Sequence, residues 1–267
     1  MRKAWFTALA ILVGCADATS PAAENADLRV RSIFSPAAPE AVLPSAYATI
    51  MGNSNSNFPH ASHRQMRYQQ VFNGGDLVDP VIVSLCLRRD DVSSSAARTK
   101  VLTIKLGPTA LDYTNLKVAF DSNYAAPPTV VFSDTVQIPA ALAGGTPVDF
   151  DVCIPFTQAY EHPAGSNLIV EVVNTSADLG SAPRDACENM TGCTTAKVFA
   201  LTPTAATGSL AAGGLVMKLF SPPPPAPVDP TTHEDCFKGG WSEFEFRNQG
   251  QCIRFVETGE DSRPPSP

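Results

Sequence analysis

The chain has 267 residues, 44% of them hydrophobic and 17% charged, with a net charge of −7. That hydrophobic share supports a packed core, so the 24 prolines do not make this a disordered chain. Lys and Arg nowhere cluster, which removes the electrostatic footprint of a nucleic-acid binder, and the diffuse acidity bears on solubility rather than on a partner.

In chain order, the first element is an export signal over residues 1–14. Arg2 and Lys3 give a positive start, residues 4–14 are apolar, and small residues follow. Eleven apolar residues rise only about 16 Å as a helix, roughly half the hydrocarbon core, so the run is too short to span a membrane. Its last residues, Leu12-Val13-Gly14-Cys15, resemble the lipobox of bacterial lipoproteins, in which the cysteine is diacylated and becomes the new N-terminus. The resemblance implies lipidation at Cys15 and attachment to a membrane in the cell envelope. A competing reading stays open: Ala16-Asp17-Ala18 fits ordinary secretory cleavage, which would discard Cys15 and release the protein. Residues 15–45, rich in Ala, Pro and Glu without periodicity, read as a flexible tether.

From residue 46 to 221, short β-like runs alternate with turn clusters. They are RYQQVF (67–72), VIVSLCLR (81–88), KVLTIKLG (100–107), NLKVAF (115–120), TVVFS (129–133), VDFDVCI (148–154), NLIVEVV (167–173), AKVFAL (196–201) and LVMKLF (215–220). Their period of two, with Gly, Pro, Asn, Asp and Ser between them, predicts an all-β fold, an antiparallel β-sandwich of jelly-roll type. No stretch of ten or more residues carries a helical apolar period.

Six cysteines remain besides Cys15: Cys86, Cys153, Cys187, Cys193, Cys236 and Cys252. An even set in an exported chain reads as three disulfides, for which fifteen pairings exist. Spacing favours Cys187–Cys193 and Cys236–Cys252, leaving Cys86–Cys153. The alternation predicts Val83, Leu85 and Leu87 on the inner face of their strand and Ser84, Cys86 and Arg88 on the outer. Likewise Val148, Phe150, Val152 and Ile154 face in, with Asp149, Asp151 and Cys153 out. Two outward cysteines can bridge only across neighbouring strands of one sheet.

SPPPPAPVDP (221–230) reads as an extended spacer over residues 222–231. A small module follows at 232–260, and 261–267 is a tail. Glu243-Phe244-Glu245-Phe246 alternates, Asn248-Gln249-Gly250 supplies a turn and Ile253-Arg254-Phe255-Val256 is apolar, which predicts a β-hairpin closed by Cys236–Cys252.

Two further stretches carry resemblances. Met51-Gly52-Asn53-Ser54-Asn55-Ser56-Asn57-Phe58-Pro59 with Arg67-Tyr68-Gln69-Gln70-Val71-Phe72 resembles the opening of an uncharacterised β-sandwich domain of exported bacterial proteins, and the similarity extends over about 170 residues of the kind one such domain occupies. It implies a sandwich and no activity. CFKGGWSEFEFRNQGQCIRFVETG (236–259) is similar to a short terminal module of exported bacterial proteins, with Phe237 inserted between Cys236 and Lys238 as a departure; it implies a portable appendage.

Catalytic signatures are missing: no Gly-x-Ser-x-Gly, His-Glu-x-x-His, phosphate loop or dinucleotide fingerprint occurs, and no cofactor, metal or catalytic residue is implied. Asp149 with Asp151 and His60 with His63 are the only handles for hydrolysis or a metal, and a solvated polar face explains both more simply. Trp241, Phe244 and Phe246 are candidate ligand-binding aromatics, against the simpler reading that they form the module's miniature core. Two function classes follow: a non-catalytic envelope module that binds or displays a glycan or envelope protein, and an extracellular glycan or ester hydrolase with a loop-built site.

Overall fold

The computed structural model describes residues 38–59, 65–90, 94–140, 149–176, 183–223 and 229–263. Strand makes up 44% and helix 15%, so the fold is all-β. The strands are β1 (Glu40–Leu43), β2 (Ser54–Ser56), β3 (Met66–Phe72), β4 (Val81–Arg88), β5 (Arg98–Thr109), β6 (Thr129–Ile138), β7 (Phe150–Glu161), β8 (Asn167–Asn174), β9 (Arg184–Cys187), β10 (Ala196–Ala200), β11 (Ser209–Ala212), β12 (Gly214–Leu215) and β13 (Met217–Phe220). All pair antiparallel. They form a four-stranded sheet, β1-β13-β4-β7, a six-stranded sheet, β11-β10-β3-β8-β5-β6, and a small sheet, β12-β9-β2.

The alternation seen in the sequence builds the core. Leu102, Ile104 and Leu106 of β5 and Leu168, Val170 and Val172 of β8 join Ile82, Leu85 and Leu87 of β4, Val152 and Ile154 of β7, and Met217 and Leu219 of β13 in one buried cluster. Each such side chain contributes roughly 1.5–3 kcal/mol by leaving water. The six-stranded sheet is covered on its second face as well. There Val71, Ile169, Ala196 and Val198 pack under Leu116 and Phe120. Burial on both faces explains why Asn167–Asn174 reads as a nearly continuous apolar run rather than an alternating one.

Four expectations need correction. The sheet starts at Glu40, inside the segment assigned to the tether, because Ala41 and Leu43 are buried where β1 pairs with β13. Val83 does not share the face of Leu85: the β4–β7 register shifts between Ile82 and Ser84, and this bulge turns Ile82 inward instead. NLKVAF (115–120) is not a strand. Leu116 and Phe120 are the residues it buries, and Asn123 folds the segment back by accepting from Lys117 N–H (2.8 Å) and donating to Lys117 C=O (3.0 Å).

The fourth correction concerns the terminal module, which is helical and not a hairpin. A 3₁₀ turn (Glu234–Gly239) leads into α1 (Gly240–Glu243) and then α2 (Gln249–Thr258). Asn248 caps α2 by accepting from Gln251 N–H at 3.0 Å, and Gly259, at φ 71°, ends it in the left-handed conformation that glycine adopts without steric cost. Between the helices Glu245 takes φ 63°, which interrupts any strand through Glu243–Phe246.

Disulfides join Cys86 to Cys153, Cys187 to Cys193 and Cys236 to Cys252. Cys86 and Cys153 are direct register partners on the outer face of the β4–β7 pair, with Cα atoms 4.0 Å apart. The small sheet is pinned by a buried ion pair. Arg88 Nε and Nη2 donate to Asp185 Oδ2 at 2.9 and 2.6 Å, and Asp185 Oδ1 accepts from Gly52 N–H at 2.8 Å. A Cβ at position 52 would stand 1.9 Å from Ala186 O, so this approach requires glycine.

Candidate functional site

Among the described residues, the side chains with catalytic potential fall into separate groups, and their bonds decide what they can do. Asp149 is exposed and precedes β7, while Asp151 lies within it. Asp151 Oδ1 accepts from Arg184 Nη1 at 2.8 Å. Burial pulls Arg184 below the usual arginine value, Asp151 opposes that shift, and Arg89 and Arg98 add to it. Asp151 therefore serves as counter-ion to a cation with two like-charged neighbours. The proposed carboxylate pair is split between a solvated acid and an ion-paired one. His60 and His63 lie outside the described residues.

His162 and Ser166, not singled out from the sequence, come together in the β7–β8 turn. Ser166 Oγ is 3.2 Å from His162 Nε2, and Tyr160 OH is 3.5 Å from His162 Nδ1. A nucleophile–base pair needs Nε2 as acceptor. However, Nε2 also stands 3.0 Å from Ser166 C=O, a group that can only accept, so Nε2 carries the proton. Ser166 Oγ in turn donates to Pro163 C=O at 2.7 Å. The arrangement closes a turn and is not a base aimed at a hydroxyl.

Glu171 is the most heavily bonded acid, and it is fully buried on the outer face of β8. Its Oε2 accepts from Gln69 Nε2 (2.5 Å), Arg67 Nη2 (3.0 Å) and Tyr124 OH (3.2 Å), and Oε1 accepts from Lys105 Nζ (2.8 Å). Burial, reinforced by the Glu171 charge, pushes the Tyr124 phenol well above its ordinary pKa, so it stays a donor. Arg67 also donates to Asp121 Oδ1 at 2.6 Å, and its guanidinium lies 4.5 Å from the Phe120 ring. These bonds fasten the 116–124 segment to the sheet. A signal for this network was present in the sequence: Glu171 is the lone charge in NLIVEVV, and such a residue must find partners when its strand is buried.

Of the candidate aromatics, Phe246 is 2% exposed and packs with Cys236, Cys252 and Phe255, while Trp241 and Phe244 lie half-buried against that cluster. Arg263 covers the rings of Phe246 and Phe255 at 4.9 and 5.1 Å. Phe246 belongs to the module's core, which leaves only Trp241 and Phe244 with partly open faces.

A shallow groove of about 240 Å³ runs along β10 and β11, lined by Tyr113, Thr114, Leu116, Ala196, Leu210, Ala211 and Ala212. Tyr113 and Leu210 are half exposed at its rim. Its lining offers one phenol and one hydroxyl, with no carboxylate, imidazole, thiol or amine. Among the described residues no group of three or more His, Cys, Asp or Glu side chains could hold a metal ion, and no helix is long and apolar enough to cross a membrane. Three disulfides place the protein in an oxidising compartment outside the cytoplasm.

Comparison with known proteins returns no matching family and no matching curated relative.

Proposed function

We propose that this is a lipid-anchored protein of the cell envelope whose β-sandwich acts as a non-catalytic binding or display module. The observation that carries this reading is the bonding of the acids and the histidine. Asp151 neutralises Arg184, Glu171 is enclosed by four donors, and His162 Nε2 donates to a backbone carbonyl. Each of these groups is held by the bonds named above, and the β10–β11 groove has no acid or base in its lining. Fold-level likeness adds nothing on activity, since sandwiches host many unrelated functions. A glycan or an envelope protein is the class of ligand that suits a shallow groove of uncharged lining with a half-exposed tyrosine at its rim, and no nucleic-acid partner fits a chain of net charge −7.

Anchoring is proposed through a diacylated Cys15, the last residue of the lipobox. Expression of Cys15→Ala in a bacterial host with radiolabelled fatty acid tests it. The expected outcome is loss of the label and a shift from the membrane to the soluble fraction. Unchanged label and fractionation would show that Cys15 is not the anchor, and a wild type that is itself unlabelled and soluble would point to cleavage after Ala18 and a released protein.

A further inference from the structure

The three disulfides differ in how far they can be reached. Cys187, Cys236 and Cys252 are each 0% exposed and Cys86 is 1% exposed, while Cys193 is half-buried. Cys153 alone among the six is exposed. Its position explains this. β7 is an edge strand of the four-stranded sheet, and Cys153 sits on its outer face. Further along the strand β7 bonds to β6, where Thr157 Oγ1 and Gln158 Nε2 donate to the carbonyls of Val131 and Val130 at 3.0 and 2.6 Å. The Cys153 end is free of those bonds. On the other side, Cys86 is covered in the middle of the sheet, between its register partners Cys153 and Lys218.

We propose that Cys86–Cys153 is a thiol-exchange site, with Cys153 Sγ as the atom attacked by an envelope dithiol of the thioredoxin class. Exchange requires a thiolate to approach one sulfur along the S–S axis, so access selects both the bond and the sulfur. The incoming thiolate forms a bond to Cys153 Sγ, and the Cys86–Cys153 bond breaks with its electron pair leaving on Cys86 Sγ. The departing Cys86 thiolate takes up a proton from solvent. The second thiolate of the dithiol then attacks its own sulfur in the mixed disulfide and releases Cys153 as a thiol. Two electrons pass from the dithiol, which ends as a disulfide, to the protein, which ends with Cys86 and Cys153 reduced. The exchange leaves an exposed Cys153 thiol on an edge strand, available for linkage to a second thiol. It depends on the oxidising compartment and not on the binding role.

The test uses the full oxidised protein under native conditions. A short pulse of limiting dithiothreitol, quenched with a maleimide, is followed by peptide mapping. Cys153 should be labelled at least about tenfold faster than any cysteine of the other two disulfides, because exchange and labelling rates follow access to the sulfur. A parallel pulse of glutathione should trap the mixed disulfide on Cys153 and not on Cys86. Earlier labelling of either other pair, equal rates for all three, or glutathione on Cys86 would overturn the proposal.

Discussion

Replacing Asp185 by alanine is expected to destabilise the sandwich by about 3–5 kcal/mol, the cost of stranding one member of a buried ion pair. Arg88 and Asp185 are each 1% exposed. Burial lifts the Asp185 pKa above the ordinary carboxylate value even though Arg88 and the Gly52 N–H pull it down. Without the carboxylate, Arg88 keeps the carbonyls of Tyr47 and Ile50, at 3.2 and 2.7 Å, and the Phe150 ring at 5.0 Å, none of which carries a compensating negative charge. The loss also frees Gly52 N–H, so β2 and β9 should loosen first. Differential scanning calorimetry should show a fall in Tm of about 10 °C, taking roughly 2–4 °C per kcal/mol for a domain of this size. The exposed control Asp149→Ala should stay within about 1–2 °C, as surface substitutions usually do. A similar small change for Asp185→Ala would mean that Arg88 finds another partner.

The double variant Cys236→Ser/Cys252→Ser should unfold the terminal module while leaving the main transition in place. The module's fully or nearly fully buried residues are Cys236, Phe246, Cys252 and Phe255, so two of the four are the cross-link itself. A disulfide closing a loop of this length contributes about 3 kcal/mol, which exceeds what a core of two rings supplies. Trp241 packs against this cluster, so its emission should shift to the red, and proteolysis should begin between residues 229 and 263. Retained Trp241 emission would show that helix packing suffices without the bond. A drop of several degrees in the main transition would show that the module braces the sandwich.

Period-two patterning located the long strands because each has one face in a common core, as with Leu102, Ile104 and Leu106. It failed where that condition fails. β1, β2, β9 and β11 have three or four residues each, too few to display a period, and are strands only because a partner lies alongside. In the terminal module, the alternation of Glu243–Phe246 suggested a strand. Yet Asn248 followed three residues later by Gln251, with Gly259 beyond, is a helix start and stop, and those capping residues prevailed. The placement of Cys86 opposite Cys153 could be reasoned from strand faces alone. The Arg88–Asp185 and Arg184–Asp151 pairs could not, since they join residues 97 and 33 apart in sequence and depend on sheet order. The Glu171 network was half legible: a buried strand with one charge announces that partners exist, without naming Arg67, Gln69, Lys105 and Tyr124.

Hydrolysis by the purified protein is the most direct measurement of the non-catalytic reading. A broad panel of glycans and chromogenic esters should be assayed with the wild type and with Asp151→Ala and His162→Ala, each checked for folding by calorimetry. The expected result is no turnover above buffer for any of the three. Turnover by the wild type that is abolished in either folded variant would contradict the account, because it would show that a group assigned to an ion pair or a turn works as an acid or base.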